Sequence, residues 1–277
     1  MIKTIIFLLF LFLILALIWG IEPLTRLRRR QLANRPFPSD WTFIIERNVS
    51  FYKRLPDSLR KRLYGHINVL LSEKKFKGCG GLQLTEEIKV TIAAIAALLL
   101  LNGRGNYFSK LRLILIYPSA FIANNTTPFG ELYLEEKQVK AGESWGTGIV
   151  VLSWENIRYD AKYWNDGRNV VLHEFAHQLD QEGGSVSGVP ILEKRSDYVT
   201  WGQVFRKEYE QLRREVERGV ETVIDEYGAT DPAEFFAVAT ETFFEKPFQM
   251  ERKHPELYHE LKRYYKLDPI EGMKEPV

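Results

Sequence analysis

Two histidines four residues apart inside an otherwise apolar run set the tightest limit on how this chain folds. The run extends from Asn169 to Asp180, and at its centre stands His173-Glu174-Phe175-Ala176-His177. On a helix of 3.6 residues per turn, positions four apart share a face, so both imidazoles reach one point in space. Val170, Val171, Leu172, Phe175, Ala176 and Leu179 fill most of the other faces, which predicts a buried helix. A buried polar group without a partner costs about 1–3 kcal/mol, and one metal ion satisfies two imidazoles at once. The competing reading is a pair of hydrogen-bonded core histidines. Neutral imidazole suits zinc, and a carboxylate beside an open coordination position takes a proton from metal-bound water. Glu174 occupies that place, so the pattern is that of a zinc hydrolase with one Zn2+ per chain.

Composition narrows the alternatives. A chain of 277 residues, 45% hydrophobic and 27% charged, is long enough for one substantial core. A formal charge of only +2 leaves no basic excess for binding nucleic acid. The single cysteine, Cys79, forms no internal disulfide, which suits a reducing compartment or a fold without staples.

Ile5 to Ile21 are 17 consecutive uncharged, almost wholly apolar residues. As a helix they span roughly 25 Å, the short end of membrane-crossing length. The run exceeds the usual core of a signal peptide and no small-residue cleavage site follows it, so the expectation is a single-pass anchor rather than a cleaved leader of an exported protein. Arg26, Arg28, Arg29 and Arg30 lie just beyond it and only Lys3 before it, which places the remainder in the cytoplasm. The expected organisation is an anchor with a basic flank over residues 1–30, a tether over 31–47 containing Pro36 and Pro38, and one folded domain over 48–272.

Within that domain the pattern predicts an α+β fold. Leu59, Leu63, Ile67, Leu70 and Leu71 follow Pro56-Asp57-Ser58 at helical spacing, with Asp57-Ser58 as the expected cap. His66 lies near that stripe and reads as a core or boundary residue. Thr85-Glu86-Glu87 opens a second helix that ends at Asn102-Gly103, too short and too charged at its start to be a second span. Residues 113–118 and 148–154 are branched apolar runs and 130–135 alternates, so all three read as strands. Strands therefore precede the histidine helix, and helices follow it.

A hydrolytic zinc site usually has three protein ligands and a water. The position six past His177 is Gly183, and Asp180 is only three past it, suited to orienting an imidazole from behind or to closing the helix end. A distant helix is the better source. Asp231 and Pro232 open one as cap and first residue, with Phe235, Val238, Ala239, Thr242 and Phe243 on its packed side. Glu234 and Glu241, seven apart, share a face. Periodicity leaves both open, since Glu234 also suits the helix dipole and Glu241 also suits a place behind the ligands.

The string His173-Glu-Phe-Ala-His-Gln-Leu-Asp180, then Ser187-Gly-Val-Pro190, then Tyr227-Gly-Ala-Thr-Asp-Pro-Ala-Glu234-Phe-Phe-Ala-Val238, resembles the Mlc titration factor A family of zinc peptidases. The resemblance extends from about Asn48 to Leu267 and leaves out the anchor. It implies a gluzincin-like, zincin-type domain with a small sheet packed on the metal helix, and aminopeptidase-type activity on a peptide or protein substrate. It further implies Glu234 as third ligand, 57 residues past His177, and Tyr227 as a residue assisting catalysis. On that reading Glu174 is the general base and Tyr227 donates to the oxyanion. The strand at 149–154 would pair at its edge with an extended substrate, and the glycine-bearing loop 181–190 would flex over the site. The best-known members are soluble proteins that bind the glucose repressor Mlc. The alternative is therefore a membrane-tethered, zinc-stabilised protein that sequesters a transcriptional regulator.

Overall fold

The computed structural model describes residues 23–103, 106–119, 121–122, 139–140, 142–145 and 148–271. The chain opens with α1 (23–33) and α2 (Ser39–Asn48), then a 3-10 turn at Ser50–Arg54 leads to α3 (Asp57–Glu73). The sheet region follows as β1 (Lys75–Gly78), α4 (Glu86–Leu98), β2 (Leu113–Tyr117), β3 (Phe121–Ile122), β4 (Val139–Lys140), β5 (Gly142–Trp145) and β6 (Ile149–Ser153). Helices complete it: α5 (Trp154–Lys162), α6 (Val170–Glu182), α7 (Arg195–Glu217), a 3-10 turn at Glu226–Ala229, α8 (Pro232–Glu245), α9 (Pro247–Lys253) and α10 (Pro255–Tyr265). The arrangement is α+β, with a small, mostly parallel sheet beside a helical majority.

The main sheet has the order β1-β2-β6-β5, the first three strands parallel and β5 antiparallel to β6. In β2 the side chains of Ile114 and Ile116 are buried while their neighbours are half-exposed, the alternation of a strand with one face on the core. β6 is buried almost throughout, and its place in the sheet explains why: Val151 pairs with Leu115 on one side and Glu143 on the other. The expectation that 149–154 offers an edge to an extended peptide is therefore corrected. Both of its edges are taken.

Thr85 caps α4 by accepting from the Ile88 N–H at 3.3 Å, and Ala93, Ala96 and Ile95 lie in the core without access to solvent or nearly so. At α3 the cap position belongs to Pro56 and makes no side-chain bond, so Asp57 sits inside the first turn and serves the helix dipole instead. His66 is half-buried beside Tyr107, its Nδ1 3.0 Å from the hydroxyl, and desolvation pushes its pKa down to about 4.

Residues 31–47 are not a loose tether. Ile45 on α2 has no exposed surface and Leu32 on α1 is 4% exposed, both within the same core as the strands. Asn68 of α3 donates to the Arg35 carbonyl at 3.0 Å, and Arg29 of α1 forms a two-pronged ion pair with Glu73 at 2.9 Å. The proline pair led to the tether reading, and buried apolar residues on either side of it decide otherwise. The expected anchor, Ile5 to Ile21, lies outside the described residues, as does the expected strand 130–135. Among the described residues no helix is long and apolar enough to cross a membrane.

Candidate metal centre

Two helices build the site, and each is started by a side-chain cap. Asn169 accepts from the Leu172 N–H at 3.1 Å to open α6, and Asp231 accepts from Ala233 and Glu234 at 2.8 and 3.0 Å to open α8. Phe175, packed edge-on to Phe108 at 4.8 Å, turns one face of α6 into the core. The opposite face then carries His173 and His177 toward the first turn of α8, where Glu234 lies.

His173, His177 and Glu234 offer ligand atoms that all lie within 4.8 Å of one another. Glu234 Oε2 is 3.0 Å from His173 Nε2 and 3.4 Å from His177 Nε2, and the two Nε2 atoms are 3.2 Å apart. Ligands at about 2.0–2.1 Å from a tetrahedral ion stand about 3.3 Å from each other, so the triangle has the size such an ion requires. Glu234 Oε2 is buried with no directed hydrogen bond, which is what an atom aimed at an ion looks like. His173 Nδ1 lies 2.7 Å from Glu241 Oε1. With the proton on Nδ1 and donated to that carboxylate, Nε2 keeps its lone pair for the ion. The residues present fit a divalent cation.

Electrostatics agree. Burial alone would lower the His173 pKa, but the Glu241 charge and the contacts with Glu234 and Glu241 outweigh it and lift it well above the ordinary value. Burial raises Glu234, and its contacts with the two imidazoles override that and hold it well below the usual carboxylate range.

The other residues singled out in the sequence have separate places. Glu174 is buried on α6 beside the ligands, at 4% exposure. Tyr227 is half-exposed, its ring centroid 6.0 Å from that of His173, and burial with the nearby charges of Glu234 and Glu174 pushes its hydroxyl up to about 12. Asp180 neither orients an imidazole nor closes the helix. Its carboxylate accepts from the N–H groups of Ser187, Gly188 and Val189 at 2.8, 2.8 and 2.9 Å, while Trp201 Nε1 donates to the Gly188 carbonyl at 3.1 Å. Gly188 has φ +73°, and a Cβ there would sit 2.2 Å from the Pro232 carbonyl oxygen, so only glycine lets the loop lie against the start of α8. The loop expected to flex is pinned. Replacing Asp180 with alanine leaves three N–H groups without their acceptor and is expected to cost about 2–4 kcal/mol, read as a lower urea midpoint together with faster proteolysis between residues 181 and 195.

Sequence reasoning missed the carboxylates behind the ligands. Asp160 Oδ2 accepts from the Val170 N–H at 2.8 Å, and Glu245 accepts from Gly167 N and Asn169 Nδ2 at 3.2 and 3.1 Å. The signal was there for Glu245, which is four residues past Glu241 on the same helix face. Burial raises its pKa to about 10, so the folded chain holds a proton that the unfolded chain loses near 4.5. A carboxyl raised on folding stabilises below its unfolded pKa, and that contribution is lost as pH rises toward about 10. Urea midpoints of the wild type are expected to fall more steeply from pH 6 to pH 9 than those of Glu245→Gln.

A cavity of about 860 Å3 lies between α1, α7 and α10. Its walls include Leu179 and Glu182 of α6 but none of the three ligands, so it is separate from the cluster.

A family model described as glucose-regulated metallo-peptidase M90 matches residues 24–266. The chain belongs to that family. It is 44% identical over 272 residues to an uncharacterized protein of Synechocystis sp., covering 98% of this chain and 99% of that protein. It is 32% identical over 231 residues to Mlc titration factor A of Yersinia pestis, covering 82% of this chain and 84% of that protein, and matches the Yersinia pseudotuberculosis protein of the same name equally. The family is described by its metal and peptidase character, while the relatives named individually carry the name of a factor that titrates. The expectation of peptide-bond hydrolysis with aminopeptidase activity is corrected on those names. What the geometry itself supplies is a buried three-residue cluster able to coordinate a metal ion.

Proposed function

We propose that this family member captures a transcriptional regulator and that one zinc ion, held by His173, His177 and Glu234, braces the part of the fold that does so. The observation that carries the reading is the 32% identity, over most of both chains, to proteins named for titrating Mlc. Zinc suits two imidazoles and a carboxylate. It ties α6 to α8 and so fixes the pinned loop between α6 and α7. That loop and the start of α7 expose Val186, Ile191, Tyr198 and Val199, at 40–62% of their surface, within 14 residues of sequence. Exposed apolar side chains so closely spaced supply the kind of area a protein partner covers. The fold around them is zincin-like, one domain that begins at α1 rather than at residue 48.

Calorimetric titration of the zinc-loaded chain with Mlc and with Mlc-type repressors tests this. A saturable one-to-one complex is expected, equally tight in Glu174→Gln, with the repressor intact afterwards. Absence of a complex, or hydrolysis of the repressor or of a peptide set that Glu174→Gln abolishes, would overturn the reading.

A further inference from the structure

The segment in front of α6 is held by two carboxyl groups of one other helix, Glu245 and Glu241 of α8. Glu245 of α8, 3% exposed, accepts from Asn169 Nδ2 at 3.1 Å and from the Gly167 N–H at 3.2 Å. Asn169, with no exposed surface, uses its Oδ1 to cap α6 and its backbone N–H to donate to Glu241 Oε2. Glu241 then meets His173 Nδ1 with its other oxygen at 2.7 Å. A continuous line thus leads from Glu245 through Asn169 and Glu241 to a ligand imidazole, and every member is buried or nearly so.

We infer that Asn169 and Glu245 are positioning residues of the metal centre, acting on the ion through the Glu241 carboxylate that orients His173. The inference rests on the metal reading of the cluster. Its physical basis is that a ligand imidazole holds its ring plane and its tautomer only as firmly as the acceptor on its far nitrogen is held. Glu241 is a long side chain with several rotamers. What selects one of them here is the Asn169 N–H, and what fixes Asn169 is the pair of bonds it makes to Glu245 and to the first turn of α6. Capping alone would need only the Oδ1 of Asn169. The amide nitrogen, spent on Glu245, has no part in starting the helix, so the two roles are separable.

Asn169→Ser separates them, since serine keeps the cap and loses the donor to Glu245. Glu245→Ala removes the acceptor, and Glu245→Gln retains one. The full chain, freed of metal and then titrated with zinc against a competing chelator and with cobalt followed by its visible absorption, gives affinity and ligand geometry. Asn169→Ser and Glu245→Ala are each expected to weaken zinc by about 10- to 100-fold and to change the cobalt band shape, with Glu245→Gln recovering most of both. The metal-free melting temperature of Asn169→Ser is expected to fall by only about 2–12 °C, the cost of one buried hydrogen bond, too little to unfold the chain during the zinc titration. Wild-type affinity and an unaltered cobalt spectrum in Asn169→Ser and Glu245→Ala would overturn the inference while leaving the metal site standing. So would an affinity loss that follows only the metal-free melting temperature across the three variants. A wild-type chain that takes up neither ion would overturn the inference together with the site it serves.

Discussion

Glu234→Ala is expected to lower zinc affinity by about three orders of magnitude. Structural zinc binds with roughly 10–16 kcal/mol, and removing one of three protein ligands forfeits about a third of that, or ~4 kcal/mol at 1.4 kcal/mol per decade. Glu234 is the ligand on which the effect should be cleanest. It lies in the first turn of α8, its backbone N–H is already satisfied by Asp231 at 3.0 Å, and its own Oε2 makes no directed hydrogen bond in the fold. What the metal-free protein loses with it is confined to its contacts with the two imidazoles. Because an ion that binds only the folded state stabilises by mass action, zinc at 1,000 times its dissociation constant adds about 4 kcal/mol. For a domain of this size that raises the melting temperature by about 8–16 °C. The wild type should show that rise and Glu234→Ala should not, with metal content measured on the same samples. An equal rise in both would remove Glu234 from the ligand set.

The second large effect is structural. Phe236→Ala should cost about 3–5 kcal/mol, a large part of the 5–15 kcal/mol that holds a domain together. Phe236 has no exposed surface, and its ring centroid lies 5.8 Å from that of Trp201, 6.2 Å from Phe205 and 6.1 Å from Tyr264. These rings join α7, α8 and α10 on the face of α8 turned away from Glu234. Truncation leaves a cavity that three rigid rings cannot close. A fall in melting temperature of about 6–20 °C is expected, against little change for Leu27→Ala on the exposed side of α1. Phe236→Leu, which retains most of the volume, should recover more than half of the loss. A drop of less than about 1 kcal/mol for Phe236→Ala would mean that the aromatic cluster repacks freely.

The chain's own order of residues determined a good deal. The buried helix with two imidazoles on one face, its distance from a capped helix bearing Glu234 and Glu241, and the α+β class all follow from periodicity, because a period of 3.6 or 2 is a local property that no partner alters. Periodicity stops at the helix surface. It left Glu234 and Glu241 open because both lie on one face, and only the packing of α8 on α6 put Glu234 against Nε2 and Glu241 behind Nδ1. It left Asp180 either to orient an imidazole or to close the helix end, whereas the carboxylate reaches forward to three N–H groups of a loop whose path is set by Trp201 and the start of α8. It read 149–154 as a strand but gave it an edge, since which strands flank it depends on residues 113–117 and 142–145 arriving from elsewhere in the chain. It read 31–47 as a tether from two prolines, while Ile45 and Leu32 find their burial only once α3 and α4 stand beside them. Local propensity is written in neighbours along the chain; partners across space, and with them every buried hydrogen bond of the metal centre, exist only after the chain has folded.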